Sequence, residues 1–157
     1  MRFVGEMMGA ILESISEFLD EDGWNFESFA DDGVLRARFA GATGEWDLII
    51  IAREEQEQAI FYSHVAQSAT PEHRRREMCE FLNRLNNRTV YGAFEMDMRD
   101  GETMFRTALD LQDVDINDKL IRNALYTNLG TMERYHGSLV AVMEDDTVSA
   151  EVALAIA

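Results

Sequence analysis

Residues 80–111 read EFLNRLNNRTVYGAFEMDMRDGETMFRTALDL. The stretch contains the end of a helix, a polar corner and a β-hairpin, and the rest of the chain is organised around it. Asp100-Gly101 lies between two alternating runs. Asp-Gly suits a two-residue type I′ turn, which needs positive φ at both central positions. Folding about that turn sets Met98 opposite Thr103, Met96 opposite Phe105, Phe94 opposite Thr107 and Gly92 opposite Leu109. On the other face Arg99 meets Glu102 and Glu95 meets Arg106. One face is therefore apolar and the other carries opposite-charge pairs. A slip of one residue would exchange the two faces.

An earlier hairpin repeats the design about Asp32-Gly33, with Phe26 facing Phe39, Ser28 facing Ala37, Ala30 facing Leu35, and Glu27 opposite Arg38. Gly41-Ala42-Thr43-Gly44 is a loop. WDLIIIA at 46–52 is the most apolar strand. Its consecutive Leu48, Ile49, Ile50 and Ile51 predict a central strand covered on both faces. A charged connection at 54–58 leads to a strand at 59–65, then to a polar loop at 67–70.

Three helices complete the pattern. Residues 7–22 place Met8, Ile11, Leu12, Ile15, Phe18 and Leu19 on one stripe, with Gly23 as the C-terminal cap. Asp20, Glu21 and Asp22 stand at the negative end of that helix, which costs a few tenths of a kcal/mol to about 1. Pro71 opens a second helix capped by Thr70, with Met78, Phe81, Leu82 and Leu85 inward. The last helix is capped by Asp115 or Asn117. It carries a heptad seam of Ile121, Leu125, Asn128, Met132, Tyr135, Leu139 and Val142. The seam serves either the chain's own sheet or a dimer contact. Gly130 and Gly137 inside it each cost about 1 kcal/mol relative to Ala. The small apolar tail at 147–157 is expected to fray.

The chain has 157 residues, and one domain over 1–157 is expected. A chain of this size buries roughly 68–70% of its unfolded surface without staples. Cys79 is the single cysteine, which excludes an internal disulfide and fits a reducing, cytoplasmic setting. Thirty acids against 14 Lys and Arg give a net charge of −16. That charge favours solubility and disfavours nucleic acid and anionic membrane as partners. No apolar run reaches the roughly 20 residues that span a bilayer. The apolar stretch at 7–12, next to Glu6, is too short for a signal peptide.

No catalytic, cofactor-binding or metal-binding residue is expected. Glu72, His73 and Glu77 put an imidazole and a carboxylate one helical turn apart, but zinc wants three or four ligands. Cys79, beside Met78 and Leu82, reads as a core thiol rather than a nucleophile. The serines form no G-x-S-x-G elbow, and the glycines are scattered singly. His73-Arg74-Arg75-Arg76 is the one basic cluster, and without interleaved aromatics it reads as a solvated helix face.

In order, these pieces resemble the YbjN domain family, whose fold is that of the type III secretion chaperones. The resemblance runs from about Ile11 to Met143. It rests on Asn86 and Asn87 followed by Gly92-Ala93-Phe94-Glu95-Met96-Asp97 and Asp100-Gly101, on a helix ending in Gly23-Trp24, and on the amphipathic last helix. It implies an α+β fold of order α-β-β-β-α-β-β-α, with three helices on one antiparallel sheet of about five to six strands. The segment at 24–30 is a departure, since it makes four extended segments before the middle helix where the chaperones have three. By this resemblance the chain is a non-enzymatic, homodimeric, regulatory or chaperone-like protein that captures a protein segment. Some family members are described as sensory transduction regulators. The binding residues expected are Trp46, Leu48, Phe94 and Met96, and the dimer seam Ile121, Leu125, Asn128, Met132, Tyr135 and Leu139. The alternative is an enzyme or small-ligand sensor with a pocket built from scattered carboxylates, Arg36, Arg38 and His64.

Overall fold

The apolar stripe of the first helix is the first element of a computed structural model that describes residues 8–65 and 69–157. Helix α1 (Ala10–Glu21) buries Ile11, Leu12, Ile15, Phe18 and Leu19. The expected start at Met7, and Gln67 and Ser68 of the expected polar loop, lie outside the described residues. The Glu54 carboxylate accepts from the free N–H groups of Ile11 (3.2 Å) and Leu12 (3.0 Å). A distant loop thus satisfies a helix start that has no cap of its own. The helix ends in a Schellman motif: Trp24 N–H donates to Leu19 O and Gly23 N–H to Asp20 O, with Gly23 at φ 82°.

Strands β1 (Phe26–Phe29), β2 (Val34–Gly41), β3 (Gly44–Arg53) and β4 (Gln58–His64) follow, then α2 (Arg75–Asn86), β5 (Ala93–Met96), β6 (Thr103–Asp110), α3 (Asp118–Glu144) and α4 (Ala150–Ile156). The six strands form one antiparallel sheet in the order β1-β2-β3-β4-β6-β5. The fold is α+β, with two differences from the expected order. Residues 26–29 join the sheet as an edge strand, so four strands precede α2. The tail does not fray: Ser149 caps α4 by accepting from Val152 N–H (3.1 Å), and Ala150 and Ala153 are buried.

Both Asp-Gly hairpins form, each two residues out of the expected register. Phe94 pairs with Phe105 and Met96 with Thr103, while Phe26 pairs with Ala37 and Ser28 with Leu35. The first loop holds four residues, 30–33, and the second six, 97–102, narrowed by Asp97 N–H donating to Glu102 O (2.9 Å); Gly33 (φ 67°) and Gly101 (φ 83°) supply the positive φ. Asp97 explains the later loop. Its carboxylate accepts from Arg99 N–H (2.8 Å), and Asp100 accepts from Glu102 N–H (2.9 Å). These side-chain turns favour a longer loop over a two-residue type I′ turn. A shift of two keeps each side chain on its expected face. Glu95 still meets Arg106 (2.7 Å), whereas Arg99 pairs with Asp97 (2.6 Å) and Glu102 with His64 (2.8 Å).

The second helix departs from its expected start. A 3₁₀ turn, Glu72–Arg74, precedes α2, and Thr70 caps nothing; its hydroxyl lies 3.0 Å from that of Thr103. Cys79 is exposed rather than a core thiol, because Met78, Phe81, Leu82 and Leu85 define the inward stripe and Cys79 lies off it. The basic cluster is not a uniformly solvated face. Arg74 is buried, donating to Val142 O (2.8 Å) and to Val148 O. Arg75 donates to Thr70 O (3.2 Å) and Met98 O (3.0 Å), and His73 Nε2 lies 2.8 Å from Asp146.

Asn117 caps α3, accepting from Leu120 N–H (3.1 Å). Its seam faces the sheet: Ile121, Leu125, Asn128, Met132, Leu139 and Val142 are fully buried and Tyr135 nearly so. Asn128 completes a polar cluster inside this core. Its amide nitrogen lies 2.9 Å from Phe61 O and 3.1 Å from Phe105 O, and its oxygen accepts from the Ser63 hydroxyl (2.5 Å). Trp46 Nε1–H donates to the same hydroxyl (3.0 Å). One side chain thereby ties α3 to β4 and β6 and fixes its register on the sheet.

Candidate interaction surface

Strict alternation gives the sheet two faces. Trp46, Leu48, Ile50 and Ala52 of β3, Ala59, Phe61 and Ser63 of β4, and Thr103, Phe105, Thr107 and Leu109 of β6 are all buried under the helices. On the opposite face no described strand residue is buried. The register lays out that face in rows. Phe29, Val34, Ile51, Ile60 and Ala108 form an apolar row across five strands. The next row is Glu27, Arg36, Ile49, Tyr62, Arg106 and Ala93. The third is Arg38, Asp47, His64, Met104 and Glu95. Ile49, Ile51, Ile60 and Tyr62 are half-buried at the centre, shielded only by their neighbours.

Ion pairs edge this apolar centre. Arg36 and Arg38 both reach Asp47 (3.1 and 3.3 Å), and Arg106 reaches Glu95 (2.7 Å). Arg36, Arg38, Arg53 and Arg106 stand against Glu27, Glu45, Asp47, Glu95 and Asp110, so the face is nearly neutral in a chain of net charge −16. An apolar centre with a mixed polar rim is the anatomy of a protein interface. The two edges of the sheet differ. Asn86 covers the β5 edge, donating to Phe94 O (3.0 Å) and accepting from Phe94 N–H (2.7 Å). The β1 edge is only four residues long and presents Glu27, which limits strand addition there.

The expected site residues lie elsewhere. Trp46, Leu48 and Phe94 are buried beneath the helices and Met96 is half-buried on the same side. The seam from Ile121 to Leu139 is turned into the same core. Alternation places these residues on the apolar face, and the helices claim that face, so neither set presents a surface to a partner. The expectation that β3 is covered on both faces does not hold: the helices cover its even-numbered residues alone. Ile49 and Ile51 are as apolar as Leu48 and Ile50, but no element of the described chain covers them.

Of the alternative pocket, Arg36 and Arg38 do converge. They share a shallow cleft of about 390 Å³ with Asn25, Phe26, Glu27 and Asp47. Asp47 pairs with both, and His64 turns to Glu102. Three groups have roles that the sequence reading did not give them: Arg74, Asp22 and His136. Asp22 accepts from Trp24 Nε1–H (3.1 Å) and from the Tyr126 hydroxyl, with Arg122 at 3.5 Å. The Tyr126 hydrogen bond holds its carboxyl below the usual range, and Tyr126 is pushed up by burial and by that same bond. Asp22 therefore joins the end of α1 to α3. His136, on α3, is nearly buried against Trp46 (ring centroids 5.2 Å), with Nδ1 2.9 Å from Thr43 Oγ1; burial lowers its pKa despite the nearby Glu133.

The profile of the YbjN family, described as "Putative bacterial sensory transduction regulator", matches residues 12–139. Two solved structures share the fold. One is described as YbjN, "a putative transcription regulator from E. coli": TM-score 0.55, 11% identity, covering 80% of this chain and 90% of that one. The other is a chain of the ExsC-ExsE complex: TM-score 0.53, 16% identity, covering 79% of this chain and 91% of that one. At these identities the likeness shows the fold alone. No curated protein matches the chain. Among the described residues no helix is long and apolar enough to cross a membrane.

Proposed function

The chain belongs to the YbjN family, and from that we propose that it is a non-enzymatic regulatory protein that works as a cytoplasmic homodimer and captures a segment of another protein. The proposal takes residues 1–157 as one domain. The observation that carries the homodimer is the open sheet face, an apolar row five strands wide with a balanced charged rim. The family's description as a regulator supports the role. The fold shared with a chain crystallised as the ExsC-ExsE complex supports a protein partner.

The dimer is assigned to the sheet face on grounds of charge. Two copies of net charge −16 repel wherever their acidic surfaces meet. An isologous contact needs a patch complementary to itself, with both signs present. The sheet face combines Arg36, Arg38 and Arg106 with Asp47 and Glu95 around its isoleucines. Light scattering at several concentrations tests this. The wild type is expected at twice the 17.9 kDa of one chain, and Ile60→Glu at the single-chain mass with an unchanged near-ultraviolet circular dichroism spectrum. A wild type at 17.9 kDa throughout, or a dimer that survives Ile60→Glu, would overturn it.

A further inference from the structure

On the helical side of the molecule a groove of about 450 Å³ runs between the segment 88–91 and α3. Its chemistry departs from the rest of the chain in three ways. The first is charge. No carboxylate lines it, and Arg88 and Arg134 on its walls form no ion pair among the described residues. In a chain with thirty acids and 14 Lys and Arg, two unpaired arginines on one groove are a local reversal of sign. At physiological salt charges beyond about 8 Å are largely screened, so a ligand in the groove meets these arginines rather than the net charge of the chain.

The second is exposed apolar surface. Val90 is fully exposed, and Tyr91 and Tyr126 are 39% and 42% exposed. Both phenols are tethered from behind, Tyr91 by donating to Ala108 O (2.8 Å) and Tyr126 by donating to Asp22. The rings are therefore held in place before a ligand arrives, which lowers the ordering cost of binding. The third is Gly130. Glycine inside a helix is unfavourable relative to alanine, and a Cβ at Gly130 would meet nothing within 4 Å. No neighbour in this chain calls for glycine at that point, and the bare backbone leaves room for a close approach from outside.

We propose that this groove takes an acidic peptide segment carrying one bulky apolar side chain. Carboxylates of the segment pair with Arg88 and Arg134, and the apolar side chain lies over Gly130 between Val90, Tyr91 and Tyr126. The inference rests on the reading of the protein as a binder of protein segments, and names where and what it binds. A nucleic acid would offer anions to the two arginines without the apolar side chain that Val90, Tyr91 and Tyr126 ask for.

The test selects a phage-displayed random dodecapeptide library on the full-length protein, followed by anisotropy titration of synthetic peptides of the selected sequences. Peptides rich in Asp and Glu around an aromatic or aliphatic residue are expected. Their affinity should fall at least about tenfold in Arg88→Ser/Arg134→Ser, the loss of one or two charge-assisted contacts. Gly130→Leu, which meets no atom of this chain at its Cβ, should fill the groove and abolish binding while leaving the mass in solution unchanged. Selected peptides that bind both variants as they bind the wild type would overturn the groove and leave the capture of a protein segment standing. A library that yields no binder would overturn both.

Discussion

Asn128 is wholly buried and satisfied from both ends of its amide, by two strand carbonyls and by the Ser63 hydroxyl. Its removal leaves several buried groups without partners, each worth about 1–3 kcal/mol. Asn128→Ala is expected to lower the unfolding free energy by about 3 kcal/mol, read from urea melts, and Asn128→Leu should not restore it. In the sequence this residue was visible as the polar step in an apolar seam, but the seam's partner was not, since a sheet and a second helix both ask for the same spacing. His136 gives a pH signature. Its folded-state pKa lies below the ordinary value because burial opposes the charged form. The unfolded chain then binds the extra proton first. The stabilisation is complete above about pH 6.5 and is lost as pH falls through that value towards the folded pKa. Unfolding free energies from urea melts between pH 7.5 and 5 should fall with a slope of at most about 1.4 kcal/mol per pH unit from this group, and His136→Gln should remove that part of the slope. A wild-type slope retained in full by the variant would assign it to other groups.

At the scale of elements, three tight loops join neighbouring strands, 30–33, 54–57 and 97–102, and the first two share one shape, a 3₁₀ turn closed by a left-handed residue. Each holds one residue at positive φ, Gly33, Glu57 and Gly101. Two of these were legible as Asp-Gly turns, though as two-residue turns. In the later one the difference lies in Asp97 and Asp100, whose side chains compete for backbone N–H groups in a way that residue pairing alone does not reveal. The third shows no glycine in the sequence. Glu57 adopts φ 52°, where a side chain costs about 1–2 kcal/mol, partly offset in glycine by its greater loss of entropy. Glu57→Gly is expected to stabilise the protein by about 1 kcal/mol, seen as a higher urea midpoint at constant slope. An unchanged midpoint would mean that the loop relaxes the strain. The helix α4 was missed for a related reason. Seven residues are too few to form a helix on their own. This one is held by tertiary contacts, among them Glu77 accepting from Ala150 N–H and Arg74 accommodating the carbonyls at the end of α3 and before α4.

At the scale of the molecule, alternation in the strands and stripes in the helices were enough to read the α+β class, the central place of β3 and the core side of both Asp-Gly hairpins. What they could not decide is which of two apolar surfaces the helices cover. Trp46, Leu48 and Phe94 are as apolar as Ile49, Ile51 and Ile60, and only the packed structure separates them. The helices take the even-numbered face of β3 and leave the odd-numbered face open. The central claim is that the open face, not the helical side, joins two copies of the chain. The most direct measurement is photo-crosslinking of the purified protein with a photoreactive phenylalanine analogue in place of Ile60, with the crosslinked residues mapped by mass spectrometry. The account predicts a covalent dimer whose crosslinks fall on Val34, Ile49, Ile51 and Tyr62 of the second copy. A protein that is dimeric by mass but crosslinks to residues on the helical side, or yields no crosslinked dimer from position 60, would contradict it.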